Sequence, residues 1–486
     1  MKNKYKTISI ILVMLLVLTV TIGLSYAYYV AFVSNVGNNI KTNITTNDLK
    51  DLVFSGETSI NNTNMIPGEK SSITFSVDNP NNVRVCFTLN WSNVVNSFVN
   101  QKDLIVTLVD SSGNEIIKEE DNKVFAKTSN EEVDLISISS NTKETYTLTV
   151  TYKETEEDQS GDMGKEFSGT LSGILKECPT NLNEYITLIA KTEDSLVYDE
   201  TSDNNLRYIG SNPNNYISVE GELWRIIGVM NNIDDGTGKK ETRVKLIRDE
   251  SIGNYSWDTS DSSVNSGYGV NGWSQADIMK LLNPSYESEE IGGSLYWNNK
   301  SGHCYKGSNN GNVVCDFTNT GIKETLKFLI GTAIWNLGGI RDYSSENNGK
   351  SINWYNAERG TLVNKNNQLQ WLGNVGLLYV SDYGYATSGG SNYNRVKCLN
   401  KEMFNWNQYS DCYENNWLYS KYSNKWAITP HPTLEDSAAF ISKDGNVRNN
   451  NKTSYNPAIK PVVYLKSSVK ILSGDGSSTV PYVLGI

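Results

Sequence analysis

Nucleophilic catalysis needs a nucleophile within hydrogen-bond reach of a base, most often histidine, and this 486-residue chain offers two, His303 and His431. His431 lies in TPHPTLED with Asp436 and Ser437 close by. No G-x-S-x-G elbow occurs in the chain to present a serine, so His431 reads as a loop residue, with a catalytic base as the rival reading. Asp and Glu total 54, which keeps carboxylate-pair hydrolysis open, but abundance alone selects no pair. Asp234-Asp235-Gly236, Asp444-Gly445 and Asp475-Gly476 are read as hairpin turns. Oxygen ligation of calcium is the other reading, without a D-x-[DN]-x-[DN]-G loop to support it. No cofactor is expected.

The six cysteines form no C-x-x-C and read as three staples in an exported protein. Cys304 and Cys315 bracket the turn KGSNNGN, Cys398 and Cys412 bracket Trp406, and Cys86 and Cys178 remain as the third pair, on an early and the last strand of the first domain. Each of the two short closed loops adds about 2 to 3 kcal/mol when oxidised. A zinc site from His303, Cys304 and Cys315 is the rival reading, and its ligand pattern is wrong for a structural zinc.

Export is written at the amino end. Lys2, Lys4 and Lys6 precede an uncharged, mostly apolar run over residues 8–33, a basic-then-apolar order that keeps the amino terminus cytoplasmic and sends the rest out. Residues 1–34 are a signal peptide or a transmembrane signal anchor. As a helix the run reaches roughly 39 Å, enough to span a core of about 30 Å with tilt. Ser25 and Ala27 also sit at the −3 and −1 positions for cleavage after Ala27. The expected location is the cell membrane facing outside, or secretion if the leader is cut. A net charge of −11 with no Lys/Arg cluster argues against nucleic acid as a partner.

The elements that must position any site divide into two exported regions. Over 35–178, period-two alternation at Ile73, Phe75, Val77, at Val83, Val85, Phe87, Leu89 and at Tyr146, Leu148, Val150, Tyr152 predicts half-buried strands and an all-β, immunoglobulin-like sandwich of seven or eight strands. The acidic stretch Glu154, Glu156, Glu157, Asp158, Asp162 reads as a solvated hairpin loop. After Cys178-Pro179 the Trp, Tyr, Asn and Gly content rises. Residues 179–205 are a linker with the first elements of the next domain, and 206–486 is an α+β domain. One helix is predicted from an N-cap at Ser274 through Leu282, another from Ile322 to Gly338-Gly339. Strands are predicted at 221–230, 243–249, 376–382 and 426–430, then from 438 and 461, with the first and last strands paired.

Aromatic density is the remaining chemical signal. Trp257, Trp273, Trp297, Trp354, Trp371, Trp406 and Trp417 stand among Asn, Ser and Gly, a composition suited to stacking on sugars or to a protein interface; core packing is the alternative for each ring. Trp406 and Trp417, around the Cys398 to Cys412 loop, are the leading binding candidates.

With the apolar leader, MIPGEKSSITFSVDN at 65–79 resembles the TasA/camelysin-like surface proteins of Gram-positive bacteria, where a leader ending near Tyr-Ala-Tyr precedes an all-β domain. Ser25-Tyr26-Ala27-Tyr28 corresponds to that end, and the apolar run is longer than the pattern. LRYIGSNPNNY, GELWRIIGVM, RVKLIRDESIGNYSWD, LLYVSDYGYATSGG, WAITP and IKPVVYLKSSVKILSGDGSSTVPY resemble exported proteins of gut Bacillota, whose closing segment is similar to C-type lectins and to relatives of formylglycine-generating enzymes; the cysteine pairs match that family too. The resemblance implies a C-type-lectin-like fold. It does not carry activity: the generating enzymes' cysteine pair has no match here, and Asn212-Pro213-Asn214 stands without the lectins' later Trp-Asn-Asp. The expectation is a non-catalytic surface protein whose head binds glycan or protein. A secreted enzyme and a matrix or fibre subunit are the alternatives.

Overall fold

The computed structural model describes residues 49–259, 268–308, 310–342, 344–345, 348–365 and 367–486; the apolar leader at 8–33 lies outside them. Among the described residues no helix is long and apolar enough to cross a membrane. The protein is β-rich, with two sheets before Cys178 and the remainder after it.

Among the described residues, nine strands make up the first part: β1 (Val53–Gly56), β2 (Ser59–Asn62), β3 (Lys70–Asn79), β4 (Val85–Asn96), β5 (Leu104–Asp110), β6 (Glu115–Ile117), β7 (Glu132–Ile138), β8 (Thr142–Tyr152) and β9 (Phe167–Lys176). They form two antiparallel sheets, ordered β1-β3-β8-β5-β6 and β2-β9-β4-β7. The alternation read from the sequence sets the register: Ile73, Phe75 and Val77 point inward with Leu148, Val150, Phe87 and Leu89, while Ser72, Thr74 and Ser76 face Thr149, Thr147 and Thr145 outside. Rings join the two sheets, Phe54 to Phe87 at 6.0 Å and Phe98 to Tyr152 at 5.1 Å. Residues 153–166 connect β8 to β9, and within this acidic loop Asp162 is buried, accepting the amides of Val99 at 2.5 Å and Asn100 at 3.0 Å.

The helix Leu182–Ile189 follows, capped by Asn181, whose side chain accepts from the amides of Asn183 and Glu184. Then come β10 (Leu196–Tyr198), β11 (Leu206–Tyr208), β12 (Tyr216–Val219), β13 (Glu222–Asp234) and β14 (Lys240–Arg248). β15 (Ser301–Cys304) and β16 (Val313–Asp316) form a hairpin, and β17 (Ala333–Asn336) pairs with β18 (Gln370–Gly373). After β19 (Val375–Gly376), β20 (Lys425–Pro430), β21 (Ser437–Ile441) and β22 (Val447–Lys452) form a three-stranded sheet. β23 (Val462–Tyr464), β24 (Lys470–Ser473) and β25 (Tyr482–Gly485) complete the large sheet, in the order β19-β23-β14-β13-β12-β25-β24 with β11 on β13 and β10 on β11. A strand from near the start of this part thus pairs with the last one: β12 lies parallel to β25, Ile217 opposite Tyr482.

Several local expectations are corrected. Ser274 sits in a short 3-10 turn, and the helix begins at Asp277 with no side-chain cap. The helix expected to run from Ile322 to Gly338 covers only Glu324–Leu329. The amide of Gly331 donates instead to the carbonyl of Tyr464, and the following Ala-Ile-Trp-Asn becomes β17, as its β-branched and aromatic residues favour. Of the strand expected at 376–382, Gly376 alone is extended in a sheet, within β19, and Val380–Tyr385 is helical. Its continuous apolar run does not separate a buried strand from a buried short helix.

Three disulfides close, Cys86–Cys178, Cys304–Cys315 and Cys398–Cys412, and such bonds persist in an oxidising environment. The first ties β4 to the segment leaving β9, with Cys178 against the core of the second part. Beside it Arg84 pairs with Glu193, and Lys191 with Asp134 of β7 at 2.6 Å. Because this bridge spans 92 residues, the double substitution Cys86→Ser, Cys178→Ser is expected to lower stability by about 4 kcal/mol. A urea midpoint equal to that of the unsubstituted protein would contradict this.

Candidate functional site

Both leading candidate rings lie inside the protein. Trp406 is 0% exposed and packs on Tyr383 at 5.3 Å. Trp417, 9% exposed, donates its indole N–H to the carbonyl of Tyr208 at 3.0 Å and covers one face of Arg225 at 4.6 Å, with Tyr216 on that residue at 4.1 Å. The binding role expected of these two rings is therefore corrected to a packing role: neither presents a free face for a ligand. Other tryptophans do likewise. Trp257, Trp273, Trp371 and Trp426 form an edge-to-face chain with centroids 5.2 to 5.8 Å apart, each contact worth about 0.5 to 1.5 kcal/mol beyond burial.

What the Cys398–Cys412 staple brings toward solvent is tyrosine. Tyr393 meets Tyr409 at 4.8 Å, Tyr413 meets Tyr419 at 4.9 Å, and all four rings are partly exposed. Between the pairs, Asp411 accepts the amides of Asn392 and Tyr393 at 2.7 and 2.8 Å, fixing the preceding loop to the helix Ser410–Glu414. Tyr422 stands out further, 84% exposed. Phe404, under Arg448 at 4.4 Å, extends the aromatic surface, and Lys401 lies over Tyr409 at 4.9 Å. Asn392, Asn394, Asn407 and Asn415 lie on the same loop. Tyrosine with asparagine and serine gives large, rigid contact area at low entropic cost together with adaptable hydrogen bonding. The available signal was the spacing of Tyr393, Tyr409, Tyr413, Tyr419 and Tyr422 among amides, overshadowed by the tryptophans.

The histidines build no catalytic pair. His431, 5% exposed, accepts the amides of Thr433 and Leu434 on Nδ1 at 3.1 and 3.0 Å, and burial holds its pKa below the ordinary range. Ser437 donates to Asp436 instead, at 3.0 Å. His303 is exposed on β15, and the zinc reading falls because Cys304 and Cys315 are bonded to each other and have no thiolate to offer. The Asp-Gly segments are turns, with Gly236, Gly445 and Gly476 at φ of 91°, 90° and 80°.

A cavity of about 420 Å³ lies over the β12–β13 turn, lined among others by Glu220, Glu222, Arg248, Asp249, Glu250 and Lys323. Glu220 and Gly221, both at positive φ, make the two-residue hairpin turn. The carboxylate of Glu222 is spent on the indole of Trp224 at 2.6 Å and on Arg248 at 3.0 Å, and Glu220 accepts from the hydroxyl of Thr325 at 2.6 Å.

A second polar cluster is closed to solvent. Gly228 lets β11 lie directly on β13, since a side chain there would collide with the carbonyl of Leu206. Arg207 is thereby delivered between Asp199 at 2.9 Å and Asp382 at 2.5 Å, and Lys245 of β14 reaches the other oxygen of Asp382 at 2.6 Å. Burial acts to raise the Asp382 carboxyl, but the two cations outweigh it and hold it at about 2. Nearby, Glu358 accepts the amide and hydroxyl of Ser381, and burial pushes its carboxyl up to about 7. Glu358 does not line the 420 Å³ cavity, so the displaced acid and the open carboxylates are separate features.

Fold and surface together define a disulfide-stapled, β-rich protein of an oxidising compartment, with an aromatic and amide loop face on its second part. No protein-family model and no curated protein matches the chain.

Two consequences are measurable. Trp406→Ala, which empties a fully buried site, is expected to cost about 3 to 5 kcal/mol, whereas Tyr422→Ala stays within about 0.5 kcal/mol; equal losses in chemical denaturation would contradict the placement of these rings. Glu358 titrates higher folded than its ordinary 4.5, so its contribution is fully present below pH 4.5 and is lost as pH rises through 7. Unfolding free energy relative to Glu358→Gln is expected to fall by about 3 kcal/mol between pH 4.5 and 8. A pH-independent difference would contradict the shift.

Proposed function

We propose that this chain is a non-catalytic cell-surface binding protein: residues 8–33 deliver it to the membrane, an immunoglobulin-like sandwich carries the second part, and a C-type-lectin-like head binds glycan or protein. The observation that carries this reading is the stapled face itself, the two tyrosine pairs around Asp411 with Phe404 and Tyr422 beside them. The short loop closed by Cys398–Cys412 limits the ordering entropy lost on contact, which favours affinity. Apolar content within the first 34 residues supports membrane delivery, as an anchor or as a leader cut after Ala27.

The fibre-subunit reading has less support. Among the described residues, three of the four sheet edges in the first part, β1, β2 and β6, are three or four residues long, and the fourth, β7, has the helix Leu182–Ile189 packed against it. Growth by strand addition needs a long open edge. For the enzyme reading, the cavity beside Glu220 and Glu250 is the place to look.

The test is the full exported chain on arrays of animal and bacterial glycans and of host extracellular proteins. Binding is expected, and Tyr409→Ala with Tyr413→Ala is expected to weaken it at least about tenfold while the circular dichroism spectrum is kept. Blank arrays would overturn the proposal. Turnover of aryl glycosides lost in Glu250→Gln would move the function to the cavity.

A further inference from the structure

Lys245 and Asp382 are matched more closely than an ion pair requires. Lys245 is 1% exposed and enclosed by the rings of Tyr379, Tyr464 and Trp335, at 4.2, 5.2 and 5.5 Å. Its Nζ carries three donors when protonated, and Asp382 Oδ2 at 2.6 Å is its one hydrogen-bond acceptor among the described residues. The rings around it attract a cation but offer no lone pair in the plane of an N–H bond, so two of its three donors reach no oxygen or nitrogen acceptor among the described residues. The carboxyl of Asp382 is fixed from two sides: Arg207 donates to Oδ1 at 2.5 Å, and the amide of Tyr379 donates to Oδ2 at 2.9 Å.

We propose that Lys245 and Asp382 condense into an intramolecular isopeptide bond, Nζ joining the side-chain carbonyl carbon of Asp382 and Oδ2 departing as water. The bond formed is N–C and the bond broken is C–Oδ2. Of the three hydrogens on the ammonium, one stays on the amide nitrogen and two leave on Oδ2, so no outside reactant is consumed. Arg207 faces the oxygen that becomes the amide carbonyl and stabilises the charge it gathers during attack. Fixed contact in a dry site supplies the effective concentration that amide formation in water lacks.

Charge balance favours the product. Asp199 holds Arg207 at 2.9 Å, so removing one ammonium and one carboxylate together leaves a neutral Asp199–Arg207 pair and no orphaned buried charge. Burial lowers the Lys245 ammonium to about 8, against the pull of Asp382, which brings the free amine within reach near neutral pH. The hydrogen bond from Nζ to Oδ2 at 2.6 Å is itself the path by which the proton passes to the departing oxygen.

The test is mass spectrometry of the full chain, reduced and digested with trypsin. The cross-linked product joins residues 244–248 to residues 366–395 and is one water lighter than the two peptides together. It is expected in the unsubstituted protein and absent from Lys245→Arg. Recovery of cleavage after Lys245, with 366–395 at its unmodified mass, would overturn the proposal without needing any variant to fold.

Discussion

The carboxylate of Asp382 is the joint on which the second part of the protein turns. It binds Arg207 from β11 and Lys245 from β14 while sitting on the short helix Val380–Tyr385, which carries the chain out of the sheet. A buried charge stripped of its partner costs about 3 to 5 kcal/mol, so β11, β14 and that helix are held to one arrangement. From the end of the helix the chain enters the stapled loop, and Asn416 closes it again by donating to the carbonyl of Tyr383 at 2.7 Å. The geometry of the loop face is thus inherited from a cluster closed to solvent.

Around this joint the tryptophans act as filler and as fasteners. In the second part, Trp257, Trp273, Trp354, Trp406 and Trp426, all at most 1% exposed, pack into one core with many leucine, isoleucine and valine side chains. Trp417 fastens rather than fills, since Arg225 lies against its ring while bonding Asn215 at 2.7 Å. Some tyrosines are buried with them, such as Tyr379 and Tyr383, while Tyr393, Tyr409, Tyr413 and Tyr419 lie partly exposed, where the hydroxyl can keep a polar end toward water.

The junction between the two parts follows the same economy. Cys86–Cys178, Arg84 with Glu193 and Lys191 with Asp134 place one covalent and two ionic ties where the first part ends. These ties hold Cys178, Lys191 and Glu193, at the start of the second part, against the strands of the first.

Residue order alone settled much of this. The strict alternation at Ile73, Phe75 and Val77 determined the strands of the first part, because a one-residue slip would turn the whole apolar set outward. Cysteine spacing likewise matched the two short pairs, Cys304–Cys315 and Cys398–Cys412, since short loops close with the least loss of entropy, and Cys86–Cys178 followed as the pair left over. Tertiary structure decided the rest. Whether 330–338 continues a helix or becomes β17 depended on β18, which lies more than thirty residues away in sequence, and whether 376–382 is strand or helix depended on where Asp382 finds its cations. Which aromatic rings face water was equally invisible: exposure is a property of what packs against a side chain, and Trp406 and Tyr409, three residues apart, differ only in what the folded chain lays over them.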